Sequence, residues 1–309
     1  MFQNWQALED GDIVDIIAPG WATEPAVVEA CLKFLESWNL QGRVPKNLFK
    51  KNLIASNTDE ARWAHLESAL NAKDSKVIWC LRGGYGSLRL LPNLAKMKKP
   101  KSPKLVIGIS DITSLHNFFN HQWQWPSLHG VLLDRMGRGR VSLPIQKEMK
   151  NLLFGKSSEV VFKKLKAVNA AAENVRSLKG LIVGGNLATL QPSLGTPWEF
   201  DLKNKFLFLE DIGERGYKLD RMLVHFEQAG KLKGCKGILL GHFTGGEEPG
   251  GGSYVKKALR MWADESKIPV FSGIESGHDV NLRPVPFMTP AKLSKETGYQ
   301  LVIETGVHR

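Results

Sequence analysis

Lys104-Leu105-Val106-Ile107-Gly108-Ile109-Ser110-Asp111 is the stretch whose reading decides the fold. Lys104 to Ile107 has the apolar, β-branched character of a short buried strand. From Ile112 to Asn120 apolar residues recur at helical spacing. A serine therefore stands where a strand turns sharply into a helix. Such a turn lifts a hydroxyl out of the backbone and aims helix N-terminal N–H groups at whatever the hydroxyl attacks. The common elbow is Gly-x-Ser-x-Gly, and here Ile112-Thr113 replace the second glycine. Taken alone, the tetrapeptide is equally a helix start capped by Ser110 or Asp111.

Working outward, the N-terminal half alternates strands and helices. Asp12 to Ile17 reads as a strand ending in Ala18-Pro19-Gly20. Amphipathic helices are expected over Pro25 to Trp38 and Asp59 to Asn71, the second with Asp59-Glu60 at its positive end. Lys76 to Leu81 is a strand that runs into Arg82-Gly83-Gly84-Tyr85-Gly86. Alternation of this kind predicts βαβ units and a parallel sheet, with functional loops at the carboxyl ends of the strands. Residues 156–178 are polar, Lys- and Ala-rich and weakly periodic, and read as a linker or peripheral strands between domains. Beyond Gly180 short strands dominate: Lys205 to Leu209, Lys236 to Leu240, Pro269 to Ser272 and Tyr299 to Ile303, with one helix at Leu219 to Ala229. The expected organisation is an α/β domain over 1–155, the linker, and a β-rich, barrel-like domain over 179–309.

Composition narrows the class. The chain has 309 residues, 42% hydrophobic and 24% charged, which is ordinary for a globular protein. No run approaches the roughly 18 apolar residues of a membrane span. Met1-Phe2-Gln3-Asn4-Trp5 lacks a basic region followed by an apolar one, so no leader is read there. Cys31, Cys80 and Cys235 are far apart among apolar neighbours and suggest neither a disulfide framework nor a zinc site. A cytoplasmic setting, no metal, no cofactor and no membrane partner are expected. The formal net charge of +11 comes with lysine runs at Lys96 to Lys104, Lys163 to Lys166 and Lys231 to Lys236. They carry no interleaved aromatics and match no nucleic-acid module. They read as solvated surface, with attraction to an anionic substrate or cell-wall polymer left open and no nucleic-acid partner expected.

A serine nucleophile needs a base within hydrogen-bond reach and an acid to orient it. Of the eight histidines, His278 in Ser276-Gly277-His278-Asp279 leads, with His129 and His242 as alternatives. His116 lies in the helix after Ser110 and is expected to point away from the elbow. The acid candidates close the apolar strand Lys205 to Leu209: Glu210, with Asp211 as the alternative. The glycine turn suits an oxyanion hole built from a Gly83 or Gly84 N–H and the Asp111 N–H. Its spacing gives neither a dinucleotide fingerprint nor a Walker lysine. Arg82 and Tyr85, within the same turn, are candidate substrate contacts.

Taken together, in order, these motifs resemble one family, the LD-carboxypeptidases or muramoyltetrapeptide carboxypeptidases, serine peptidase family S66. The resemblance runs through Ile16-Ile17-Ala18-Pro19, Arg82 to Gly86, Gly108 to Thr113, His129-Gly130, Gly184-Gly185-Asn186-Leu187, Gly195-Thr196-Pro197, Phe208 to Asp211, Asp220 to Leu223 and Gly277-His278. It implies Ser110 as nucleophile, Glu210 as orienting acid and His278 as base, with Gly84 and Asp111 N–H groups at the oxyanion. It also implies a homodimer without metal that removes the terminal D-alanine of a murein tetrapeptide during cell-wall recycling. Gly20-Trp21 and Val131 depart from the family pattern and bear on the substrate pocket. Two other functions share the resemblance. A microcin-immunity-type peptidase would cleave peptidyl-adenylates, but the short Gly213 to Lys218 segment disfavours it. The other is a non-catalytic protein that binds peptidoglycan peptides.

Overall fold

The computed structural model describes residues 3–308. Met1 and Phe2, at the start of the leader reading and of the 1–155 unit, lie outside the described residues, as does Arg309. The N-terminal half builds a six-stranded sheet in the order Val285–Phe287, Ser127–His129, Leu105–Gly108, Ser75–Cys80, Ile13–Ile17, Gln41–Arg43. Five strands run parallel, and Val285–Phe287 pairs antiparallel at one edge. The chain order reverses at Ile13–Ile17, which has the next strand in sequence on one side and the third on the other. In open α/β sheets, ligands bind outside the carboxyl ends of strands at such a point. The loops after Ile17 and Cys80 therefore meet where a site is expected.

Helix Asp59–Asn71 starts as read, with Thr58 accepting from the Ala61 N–H at 3.3 Å. Its buried residues, Arg62, Leu66, Ala69 and Leu70, keep helical spacing. Pro25–Glu36 supplies a second amphipathic helix that buries Val27, Cys31 and Leu35.

The C-terminal half is a closed seven-stranded barrel, in the order Gly237–Thr244, Val270–Ser272, Glu159–Ala167, Tyr299–Glu304, Pro290–Lys295, Ser177–Asn186, Lys205–Ile212. Strand Lys205–Ile212 shows how its faces are divided. Phe206 and Phe208 join the core shared with the N-terminal half. Leu207 and Leu209 join a separate core with helices Gly216–Gln228 and Val255–Glu265. Side chains alternate faces along a strand, so Glu210 shares the face of Phe206 and Phe208, and Asp211 the opposite face.

Two expectations need correction. The segment read as a linker or peripheral strands contains helix Ala170–Glu173 and the strand Glu159–Ala167, which is an integral member of the closed barrel rather than peripheral. Val160, Phe162 and Leu165 are buried, but the register shifts between Tyr299 and Leu301 and Lys164 has φ 59°. The bulge breaks the two-residue period that would have marked a strand. Likewise, Val285–Phe287 lies in the 179–309 region of the sequence yet extends the N-terminal sheet. Among the described residues, no helix is long and apolar enough to cross a membrane.

Candidate active site

Ser110 follows strand Leu105–Gly108 directly and has φ 64°, in the left-handed region that side chains other than glycine rarely adopt. This is the strained turn that an elbow requires. The chain continues as a 3-10 turn, Ser110–Ile112, into helix Thr113–Phe118. Gly108 explains how the elbow tolerates Ile112. A Cβ at 108 would lie 2.7 Å from Ile112 Cγ1, so the space usually left by the second glycine is left here by the first.

The loops around Ser110 are packed backbone against backbone. A Cβ on Gly83 would lie 2.9 Å from Ser110 Cβ and 3.3 Å from its Oγ. A Cβ on Gly20 would strike the Gly83 carbonyl oxygen at 2.4 Å. The Asp111 carboxylate accepts from the N–H of Gly86 at 3.1 Å, the N–H of Ser87 at 2.9 Å and the Ser87 hydroxyl at 2.6 Å. Burial pushes the Asp111 carboxyl pKa up, against the pull of those donors. Arg62, wholly buried, donates to the carbonyls of Pro19, of Gly86 at 2.8 Å and of Asn57 at 3.3 Å, and pairs with Asp59 at 2.5 Å. Arg62 and Asp111 thus tie the 18–20 loop, the glycine turn and the elbow together. Sequence reasoning missed Arg62, although its phase with Leu66, Ala69 and Leu70 on one helical face was a readable sign.

From the barrel, Glu210 is fully buried and its Oε2 lies 2.7 Å from His278 Nδ1. Burial alone would lower the pKa of His278. The hydrogen bond and charge of Glu210, with Asp211 behind it, outweigh burial and leave the imidazole above its ordinary value. Gly277 makes the approach possible: its φ is 141°, and a Cβ there would sit 3.2 Å from Glu210 Oε2 and 3.0 Å from His242 Cβ. Asp211 turns the other way. It accepts from Asn186 Nδ2 at 3.2 Å and from the N–H groups of Ala188 at 2.8 Å and Ile212 at 2.7 Å. Burial, opposed by those donors and reinforced by Glu210, pushes its pKa up to about 7. The acidic partner of His278 is thus Glu210 and not Asp211.

The other histidines separate clearly. His129 is fully buried, its ring 5.1 Å from Phe208 and 5.5 Å from Phe287, and burial drives its pKa well down. His116 is also buried, with Nε2 2.8 Å from the Gly108 carbonyl oxygen and a pKa lowered to about 4 by burial. His242 lies beside Gly277, with Nδ1 3.8 Å from Asp279 Oδ2.

The two halves meet beside the elbow. Asn186, the register partner of Glu210, donates its N–H to Thr113 Oγ1 at 3.0 Å. A Cβ on Gly185 would lie 2.5 Å from that oxygen. Arg135 Nη2 reaches the carbonyl of Asp279, next to His278, at 3.4 Å. Outside the elbow, Arg82 donates to the Ala22 carbonyl at 3.3 Å and lies 5.9 Å from the Trp21 ring. Trp21 packs on Gly84, and Tyr85 is exposed. Arg82 and Tyr85 therefore flank the glycine turn, as expected.

A parallel α/β sheet with a strained elbow serine, joined to a barrel that carries a buried carboxylate–imidazole pair, is the frame of a serine-type carboxypeptidase, a hydrolase. Residues 14–130 match the LD-carboxypeptidase N-terminal domain and residues 179–293 the LD-carboxypeptidase C-terminal domain. The chain belongs to this family, peptidase S66. It is 34% identical over 240 residues to a probable murein peptide carboxypeptidase of Bacillus subtilis, covering 77% of this chain and 74% of that protein. It is 29% identical over 301 residues to the murein tetrapeptide carboxypeptidase of Pseudomonas aeruginosa, covering 94% and 95%. The crystal structure of muramoyltetrapeptide carboxypeptidase from Oxalobacter formigenes superposes with a TM-score of 0.80 at 28% identity, over 94% of this chain and 99% of that one. A microcin C7 self-immunity protein shares the fold, with a TM-score of 0.82 at 18% identity and 99% of each chain covered.

Proposed function

We propose that this protein hydrolyses the bond between the L-centre of a diamino acid and the terminal D-alanine of murein tetrapeptides, through a Ser110–His278–Glu210 triad. The observation that carries the reading is the 2.7 Å contact between buried Glu210 and His278 Nδ1. It fixes a tautomer in which Nδ1–H donates to the carboxylate and Nε2 is left as the base. The left-handed backbone at Ser110 supports its role as nucleophile. In this mechanism His278 takes the Ser110 proton, Ser110 attacks the carbonyl, and the N–H groups of Gly84 and Asp111 hold the oxyanion. His278 then protonates the departing D-alanine amine, and water repeats the sequence on the acyl-enzyme.

Arg82 and Tyr85, beside the glycine turn, are assigned to the substrate and its terminal carboxylate. The reading divides the work between an N-terminal unit, up to residue 155, that carries the nucleophile and a C-terminal unit, from 179, that carries acid and base. It places the enzyme in the cytoplasm as a homodimer, where murein fragments are recycled. Names of relatives support the substrate class, since two of them act on murein peptides by description.

The test is mass spectrometry of purified protein mixed separately with a murein tetrapeptide, the matching pentapeptide and a peptidyl-adenylate. Loss of one D-alanine from the tetrapeptide alone supports the reading. Cleavage of the adenylate alone overturns the substrate assignment, and cleavage of none of them overturns the activity.

A further inference from the structure

A cavity lies outside the serine site, and none of its lining residues belongs to the proposed triad or the glycine turn. It has a volume of about 820 Å³ and is lined by Lys179, Lys203, Lys205, Lys236 and Lys292, with Glu159 and Glu304 at one side. That volume falls within the range of small-ligand sites.

Its charges are arranged at a cost. In the antiparallel pair of Pro290–Lys295 with Ser177–Asn186, Lys292 stands directly opposite Lys179. Like charges directly opposite on a sheet destabilise it. Lys179, Lys203, Lys236 and Lys292 have no acidic partner among the described residues. Lys205 is nine-tenths buried and is held by Asp201 at 3.2 Å and the Lys203 carbonyl at 3.4 Å. Gly180 lets the 203–205 turn close over the sheet: a Cβ there would strike the Asn204 carbonyl oxygen at 2.6 Å and approach Lys236 Cγ at 3.4 Å. The ammonium groups therefore belong to elements locked around one concavity, unlike the exposed Lys96, Lys98 and Lys101; Lys104, read as part of that solvated run, is instead buried and donates to the Ala69 carbonyl at 2.6 Å.

We propose that this cavity binds a compact anion carrying two or more closely spaced phosphates. Four unpaired ammonium groups are compact, strongly hydrated point charges, which suit phosphate oxygens. Among the described residues no arginine lines the cavity, so an anion there is held by several point charges rather than by a bidentate fork. Glu304 stands opposite Glu159 in the neighbouring strand pair, so a long polyanion crossing the cavity would meet an acidic end. The site thus takes a short ligand, which sets it apart from a nucleic-acid track.

The experiment uses the full chain and reads thermal unfolding and calorimetric binding with inorganic tripolyphosphate, a glycerol-phosphate trimer and citrate, at low and high NaCl. The site predicts a tripolyphosphate- or trimer-dependent rise in Tm that fades with salt. The tighter of the two names the source, a free oligophosphate or a phosphodiester. Lys179→Ala/Lys292→Ala should weaken binding about tenfold or more while leaving the ligand-free Tm at or above that of wild type, because the opposed pair is gone. Lys96→Ala/Lys98→Ala removes the same charge elsewhere and should keep the full response. Equal responses in the two double variants, citrate binding as tightly as the phosphates, or no response up to about 10 mM ligand would overturn the proposal. None of these readouts depends on peptide hydrolysis, so the site stands or falls separately from the proposed activity.

Discussion

The two sides of the site are built in opposite ways. The Ser110 side is local: strand, elbow and helix are consecutive, and strain at one residue is held by glycine contacts and by the buried Arg62 and Asp111 bonds. The Glu210–His278 side is long-range: two residues 68 apart in sequence meet because a barrel strand and a glycine-permitted loop bring them together. The difference teaches that the geometry at Ser110 is set by packing, and the protonation of His278 by one buried charge. Substitutions on the two sides should therefore fail differently.

Glu210→Gln should show the largest effect, a loss of about 10³–10⁴ in kcat/KM with the fold intact, because the tautomer and the imidazolium both lose their partner. The pH dependence fixes the sign. His278 sits above its ordinary pKa because Glu210 outweighs burial, so activity should climb as pH rises through that raised value. In Glu210→Gln burial and the Arg135 charge are opposed only by the Asp211 charge, and the acid limb should move to lower pH. The stability that the pair supplies is complete below the unfolded histidine pKa and is lost as pH rises through the folded one. A wild-type profile flat across this range would contradict the assignment.

Gly83→Ala probes the local side. Its Cβ would press on Ser110 Cβ at 2.9 Å, and the expected cost is about 10²-fold in kcat, with the acid limb unmoved. An unchanged kcat would mean that the elbow has slack. Arg62→Met should cost about 2–3 kcal/mol by denaturant midpoint, since it strips donors from the buried Pro19 and Gly86 carbonyls. Loss of activity in Arg62→Met should track loosening of the elbow, without the pH shift seen for Glu210→Gln. Asp211→Ala should have the smallest effect, about 1–2 kcal/mol of stability from the lost acceptor for the Ala188 N–H in the first turn of helix Leu187–Leu190, which Asn186 caps. Its kcat/KM should stay within about fivefold of wild type, and a loss as deep as that of Glu210→Gln would reverse the roles of the two carboxylates.

What could be read in the sequence follows the same division. The elbow was legible because Gly108, Ser110 and the helical spacing beyond lie within one window. Helix Asp59–Asn71 was legible because Asp59-Glu60 mark its start, and the structure adds Thr58 as its cap. The pattern alone put Glu210 first but kept Asp211 as the alternative, and the family resemblance named Glu210. Phe206 to Leu209 is one apolar run, and nothing in it tells which alternate face meets the N-terminal half and which meets the helices. His278, His129 and His242 stayed open because burial and ring partners, not neighbours in sequence, separate them. Strand Glu159–Ala167 was hidden by its bulge at Lys164, and Val285–Phe287 by its three-residue length and Pro286.

The central claim is that Ser110 is the nucleophile and that the barrel's Glu210–His278 pair activates it. Its most direct test is intact-mass and peptide mapping after incubation with a phosphonofluoridate, comparing wild type with Ser110→Ala, His278→Ala and Glu210→Gln. The account predicts a single adduct on Ser110 in wild type, none in Ser110→Ala, and labelling slowed by about 10³-fold or more in the two barrel variants. An adduct on another residue, or labelling of Ser110 at the wild-type rate in His278→Ala, would contradict it.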